Sequence, residues 1–325
     1  MSEAGGTESV PCPLGCTAGD VLVLTAHDRL HGLAGEWRVV RCAGCGLMRT
    51  NPRPRREAIA AYYPRDYQPF LDSRVDSGLG SSVLGPGVEV RRPQDPLPKT
   101  QDRRLRYDPL NRAVPDLPPG RLLEIGCGSG SFLHTMACRG WQVCGLEPSA
   151  DAAAAAREAG YEVIVGQLED VTDLAGPYDL IAGWMVVEHV HEPVAALARL
   201  RRAAAENGWL AISVPDAGSW ELAAFGDAWY ALQMPTHLFH YTRATLRLVL
   251  ARAGWRLTRV MWQRDAKNLF HSLCYRCADR GWEAGAAWLA DAAVGKRIPR
   301  VRAALGQVLG RLRASGRMTA WARAA

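Results

Sequence analysis

Residues 121–133, Arg-Leu-Leu-Glu-Ile-Gly-Cys-Gly-Ser-Gly-Ser-Phe-Leu, constrain the fold more than any other stretch of the chain. The apolar run from Leu122 to Ile125 predicts a buried strand, and glycines at Gly126, Gly128 and Gly130 follow at once. A helical pattern begins near Ser129. Glycines at this spacing let the backbone turn sharply and approach a ligand, while the helix start offers free N–H groups. A glycine trio also occurs in plain turns, so the sequel decides. Val143-Cys144-Gly145-Leu146 predicts a second short strand, and it ends in Glu147. An acid about 20 residues beyond the glycines is where a strand–helix–strand unit meets a ribose diol.

The pattern Glu124-x-Gly126-x-Gly128-x-Gly130, with Glu147 after the second strand, resembles the class I S-adenosylmethionine-dependent methyltransferases rather than the nicotinamide dehydrogenases. The distinguishing mark is Glu124, placed before the first glycine. The resemblance covers roughly residues 119–260, with a looser one over the first 70. It implies an α/β, Rossmann-like fold whose seven-stranded, mostly parallel sheet has an antiparallel last strand. It also implies S-adenosylmethionine as cofactor. Glu124 would lie near the methionine end, and Gly126, Cys127, Gly128 and Gly130 would form the loop. Glu147 and Pro148 would lie at the ribose, Gln167 and Leu168 around adenine, and Trp184 at the end of strand four.

Ahead of this domain, Cys12 and Cys16 are followed by Cys42 and Cys45. Two close pairs joined by one ordinary loop suit four thiolates around a structural zinc, with no position left open for chemistry. Four unligated thiols are the alternative, and a module this small needs some staple beyond its apolar core. Leu22–Thr25 and Trp37–Arg41 predict its strands. With Asn51-Pro52-Arg53-Pro54 and Tyr62-Tyr63-Pro64-Arg65-Asp66-Tyr67, the arrangement resembles the zinc-ribbon-like module ahead of some bacterial sugar and natural-product methyltransferases. The resemblance implies that one tyrosine enters the substrate site. Tyr62, Tyr63 and Tyr67 are equal candidates. The implied organisation is a module with aromatic connector over 1–70, a linker or lid with a pre-core helix over 71–117, and the catalytic domain over 118–325.

Within the domain, strands are predicted at Tyr161–Val165, Tyr178–Ala182, Trp209–Val214, Trp255–Trp262 and Met318–Ala322, leaving a helical insertion over about 265–316. After the fourth strand comes Glu188-His189, where the resemblance places an acid–base pair. His189 is read either as a proton acceptor titrating near the ordinary histidine range, with Glu188 orienting it or acting itself, or as a residue that only hydrogen-bonds backbone and fixes the loop. The segment Pro235-Thr236-His237-Leu238-Phe239-His240-Tyr241 holds two of the eight histidines. His237 is the rival base, Tyr241 is read as packing, and no third residue nearby completes a metal site.

Net charge is +6, but only Lys99, Lys267 and Lys296 are lysines, so the Arg bias does not mark a phosphate-binding surface. Nine cysteines, without an N-terminal apolar segment or an 18-residue apolar span, lead to the expectation of a reduced, cytoplasmic protein. Residues 295–317 carry seven basic and no acidic side chains around the stripe Val301, Leu305, Val308, Leu309 and Leu312. Packing, a second copy or an anionic membrane surface would each fit that helix. The reading is methyl transfer to oxygen or carbon of a small molecule, without nucleic acid. An RNA methyltransferase lacks support from strand four, which has no Asn/Asp-Pro-Pro-aromatic signature, and from the ribbon, which has no basic-aromatic surface. A non-catalytic adaptor sits poorly with the intact glycine–acid pattern.

Overall fold

The computed structural model describes residues 6–63 and 112–325. The expected lid over 71–101, Tyr67, and all but the last three residues of the expected pre-core helix over 102–114 lie outside the described residues. The chain opens with short strands β1 (Thr7–Glu8), β2 (Asp20–Ala26), β3 (Trp37–Cys42), β4 (Met48–Thr50) and β5 (Arg53–Pro54). Alternating units follow: β6 (Arg121–Ile125), α1 (Ser131–Ala137), β7 (Gln142–Glu147), α2 (Ala150–Glu158), β8 (Glu162–Val165), β9 (Tyr178–Trp184), α3 (Pro193–Ala203) and β10 (Ala204–Pro215). Then come α4 (Trp220–Phe225), β11 (Phe239–His240), α5 (Arg243–Arg252), β12 (Trp255–Trp262), α6 (Lys267–Ala278), α7 (Glu283–Ala293), α8 (Pro299–Arg311) and β13 (Arg317–Ala324).

The main sheet has the order β12-β13-β10-β9-β6-β7-β8. Parallel pairing joins β10, β9, β6, β7 and β8, whereas β13 runs antiparallel to both β10 and β12. The expected seven strands with a reversed last one are therefore present. Near-continuous burial of Leu122, Leu123 and Ile125 reflects a central strand covered on both faces, as parallel sheets require. Strand order turns around at β6, with β7 on one side and β9 on the other, so a crevice opens beyond their carboxyl ends. Two helix starts are held by side-chain caps. Ser149 accepts from the Ala152 amide, and Thr242 and Thr245 form a reciprocal capping box. Such a cap stabilises by about 1 kcal/mol.

The N-terminal strands build a second sheet, ordered β11-β4-β3-β2. One outer strand comes from within the catalytic domain: Phe239 pairs with Arg49, and His240 with Met48. The ribbon is thereby joined to the main domain through backbone hydrogen bonds.

Between β12 and β13 the insertion forms α6, α7 and α8. The apolar stripe of α8 divides. Leu309 is buried with Phe270, Ala292 and Ala293, and Leu305 packs beside them, while Val301, Val308 and Leu312 face outward. No helix among the described residues is long and apolar enough to cross a membrane.

Candidate functional site

The loop after β6 is shaped by its glycines. Gly126 has φ +65°, and a Cβ there would meet Val186 Cγ2 at 2.6 Å, so no larger residue fits without displacing the loop after β9. Gly128 has φ +53°, but a Cβ there would meet nothing within 4 Å. The space beside Gly128 is thus open, a cradle for a ligand that approaches backbone closely, while the Gly126 and Cys127 amides donate to the Leu146 carbonyl and the Gly130 amide to the Cys127 carbonyl. Glu147, at the end of β7, reaches into this loop. One carboxylate oxygen accepts from the Gly128 amide and the other from the Ser149 amide, both at 2.9 Å. Each oxygen keeps a second lone pair for a hydroxyl donor. Burial raises the Glu147 pKa, opposed by those two amides. Glu124 is buried on β6 below the loop. Burial, then Glu124 and Glu147, push the Cys127 thiol up and keep it from acting as a nucleophile. These residues fit a nucleoside-type cofactor.

Other expected contacts surround this loop unequally. Trp184 packs edge-on against Phe132 with centroids 5.1 Å apart. Gln167 receives Arg56 Nε at 3.2 Å, so its amide is turned toward the N-terminal module. The Leu168 side chain belongs to the apolar core. Pro148 lies between Glu147 and the α2 cap.

A second group forms where β9 leaves the sheet. Ile125 pairs with Gly183, so the glycine loop and the Glu188-His189 loop depart from adjacent strands at the same edge. Val186 against Gly126 is their point of contact. The fold then folds His237 onto this loop. The rings of His189 and His237 lie 4.6 Å apart at 82°, and one ligating atom from each of Glu188, His189 and His237 lies within 4.8 Å of the others. His237 had no identifiable third ligand in the sequence, because Glu188 and His189 precede it by about fifty residues and reach it only through tertiary folding.

Orientation of His189 differs from the sequence-based expectation. Glu188 does not hold it: Glu188 is 0% exposed, and neither carboxylate oxygen has a hydrogen-bond partner among the described residues. His189 Nδ1 instead lies 2.9 Å from both the Thr236 carbonyl and the Tyr63 hydroxyl. A carbonyl only accepts, so Nδ1 carries the proton and Nε2 keeps its lone pair. Burial brings His189 down to about 4, outside the ordinary histidine range that the sequence suggested. Burial, followed by the neighbouring His189 and His240, also lowers His237 well below its ordinary value. His240 points elsewhere, with Nε2 at 3.3 Å from Thr50 Oγ1.

The tyrosines separate clearly. Tyr62 packs edge-on against Trp37 at 5.4 Å, while Tyr63 reaches His189. Tyr241 is buried, its hydroxyl 3.4 Å from the Val187 carbonyl. Thr236 was missed as a positioning residue because it acts through a backbone carbonyl, which no side-chain motif reports. Met185 and Gln233 flank this cluster with φ of 59° and 40°. Left-handed conformations at such residues cost about 1–3 kcal/mol and gather at functional loops.

Burial pushes Glu188 up to about 8 from its ordinary 4.5. Between those values the unfolded chain is ionised at Glu188 and the folded chain is not. Rising pH therefore favours unfolding through this residue. The unfolding midpoint of Glu188→Gln, relative to wild type in metal-free buffer, is expected to climb from pH 4.5 to about 8. A difference that stays flat across that range would show an ordinary carboxyl.

In the ribbon, the four sulfurs of Cys12, Cys16, Cys42 and Cys45 lie within 4.8 Å of one another, and Cys12 Sγ is 3.5 Å from Cys45 Sγ. Gly15 N–H donates to the Cys12 carbonyl and Gly46 N–H to the Cys42 carbonyl, curling each pair into a tight turn. Burial raises Cys42, but the Cys45 and Gly44 amides, together with the Cys45 and Cys12 thiols, outweigh it and bring the thiol to about 7. Burial pushes Cys45 up to about 12. Convergence of four thiols in this geometry fits a tetrahedral zinc.

The strand order, the cradle beyond β6 and the acid beyond β7 define a class I methyltransferase type of α/β fold. Residues 99–260 match the family model described as a methyltransferase domain, and this segment is a methyltransferase domain of the S-adenosylmethionine-dependent class. Over 158 residues the chain is 30% identical to a ubiquinone biosynthesis O-methyltransferase of Xanthomonas oryzae pv. oryzae, covering 46% of this chain and 65% of that protein. A protein of the same description from Burkholderia pseudomallei is 27% identical over 184 residues, covering 50% of this chain and 79% of its own. The chain thus spans just under two thirds of the Xanthomonas relative's length. Among solved structures, a methyltransferase of Thermotoga maritima described as a possible histamine N-methyltransferase aligns with TM-score 0.39 and 24% identity, over 45% of this chain and 69% of that one.

Proposed function

We propose that this chain transfers a methyl group from S-adenosylmethionine to an oxygen or carbon of a small molecule. The observation that supports the reading is the contact of the two loops at Gly126 and Val186, which sets the glycine loop beside the loop that carries Glu188 and His189. When bound, the cofactor supplies a methyl group on a sulfonium, ready for in-line displacement. The chain supplies position and proton handling. Gly128 would leave backbone room, Glu147 would accept from the ribose hydroxyls, and Glu124 would serve the amino-acid end. His189 Nε2 takes the proton of the acceptor, its ring held by Thr236 and Tyr63 through Nδ1. Tyr63 brings the N-terminal module into this site.

A hydroxyl acceptor is supported by the relatives, whose description is O-methylation in ubiquinone biosynthesis. The cysteine module supports tailoring of a sugar or natural product, and its four thiols would hold a structural zinc remote from the transfer. Mass detection of methylated product, after incubating the chain with S-adenosylmethionine and panels of phenolic and nucleotide-sugar acceptors, tests the reading. Binding is tested separately. Glu147→Ala is expected to weaken S-adenosylhomocysteine binding by about tenfold or more, as loss of charge-assisted hydrogen bonds does, with little change in fold. An unchanged dissociation constant by calorimetry removes Glu147 from the site.

A further inference from the structure

Glu188 poses a problem that methyl transfer alone does not answer. A carboxyl group with no exposure, and with no hydrogen bond from any other residue among the described residues, is costly to bury and needs either a proton or a cation. Two imidazoles lie against it. His189 Nδ1 is 2.9 Å from the Thr236 carbonyl, and His237 Nδ1 is 2.9 Å from the Ala231 carbonyl. Both carbonyls can only accept, so both rings carry their proton on Nδ1 and keep the Nε2 lone pair. A backbone acceptor behind each imidazole is the arrangement that orients metal-binding histidines.

We propose that Glu188, His189 and His237 form a second metal site, for a first-row divalent cation of the zinc type. Two nitrogens and one carboxylate oxygen suit such cations, and calcium or magnesium would seek more oxygen ligands. One ligating atom from each residue already lies within 4.8 Å of the other two. Bonds of about 2.1 Å in tetrahedral geometry set ligands about 3.4 Å apart, so the three atoms have to draw together to close on a cation. Arg317 acts on Glu188 only as a more distant charge, since no ion pair joins them among the described residues. Three protein ligands leave a coordination position open, unlike the four sulfurs of the ribbon.

The role of the cation, as distinct from its binding, rests on the proposed methyl transfer. An acceptor hydroxyl that joins the cation through oxygen releases its proton to solvent at lower pH than in bulk water. In the metal-loaded chain the His189 lone pair is a ligand and the cation activates the acceptor; in the metal-free chain the imidazole keeps the proton-accepting role.

Cobalt(II) titration of the full chain, with the ribbon already loaded with zinc, tests the site. About one further equivalent of Co²⁺ is expected, with visible d–d bands and no sulfur-to-metal charge-transfer band. Glu188→Gln and His237→Ala are each expected to weaken that binding at least tenfold while retaining ribbon zinc and a wild-type far-ultraviolet spectrum. Absence of the extra equivalent from wild type, or its retention with unchanged affinity in both variants, overturns the proposal. The titration reads binding without turnover, so its failure leaves methyl transfer standing. Failure to find a methylated product likewise leaves the metal site standing.

Discussion

His189→Ala is expected to lower turnover by roughly 10²–10⁴-fold, the usual contribution of a positioned proton acceptor, while S-adenosylhomocysteine affinity stays nearly constant. His189 is preferred to His237 on geometry. Its ring is only part-buried and is held by Tyr63 and Thr236, whereas His237 is 1% exposed with Nδ1 turned to the Ala231 carbonyl. The binding half of the prediction follows from the loop architecture. Gly128 lies in the loop after β6 and Glu147 ends β7, and the connection between these strands does not pass through His189. The pH dependence adds a check. With His189 held at about 4 by burial, the imidazole is neutral and receptive throughout the neutral range. A rate that rises through the ordinary histidine value of 6.5 would therefore have to come from another group. Single-turnover rates across pH, with a methylated acceptor as readout, measure both. Wild-type turnover in His189→Ala removes the residue from the chemistry, whichever acceptor is used.

Most of the sheet was legible because its signals are local. Leu122 to Ile125 is continuously apolar, the glycines follow without interruption, and β12 begins and ends where the Trp255–Trp262 pattern predicts. Thr242 and Ser149 announce their helices by capping chemistry that depends on a few neighbouring residues. What stayed hidden depends on distance along the chain. β11 is two residues long and has no strand signature of its own. It pairs because Phe239 and His240 are carried to the open edge of β4. The clustering of Glu188 with His237 is hidden for the same reason. Glu188-His189 reads as a self-contained pair, yet the neighbours that matter to His189 are Tyr63, Thr236 and His237, from two separate segments. Choosing Tyr63 over Tyr62 required the connector's path, since adjacent residues of identical type carry no distinguishing pattern.

The join between ribbon and catalytic domain leads to the other large expected effect. Changing Cys42 and Cys45 together to serine is expected to remove one zinc equivalent per chain and to lower turnover by at least about 10²-fold, the cost of misplacing a catalytic group by about 1 Å. The route runs through β4. Cys42 closes β3, Cys45 lies in the following turn, and Met48–Thr50 pairs with β11. Thr50 then holds the histidine segment directly, its hydroxyl donating to the His237 carbonyl at 2.7 Å and its amide to the Leu238 carbonyl at 3.0 Å. Leu238 N–H in turn donates to the Glu188 carbonyl at 2.8 Å. A structural zinc contributes about 10–16 kcal/mol to folding of a small module, far more than a short sheet edge can replace. Its loss should free β4, and with it His237, on the acceptor side of the crevice. The cofactor side is tied to β6 and β7 and should keep its S-adenosylhomocysteine affinity. Elemental analysis, calorimetry and turnover of the same double variant separate these claims. Active wild-type protein without zinc rules out the metal ribbon. A variant that loses zinc yet keeps full turnover shows that β11 holds His237 in place without help from the ribbon.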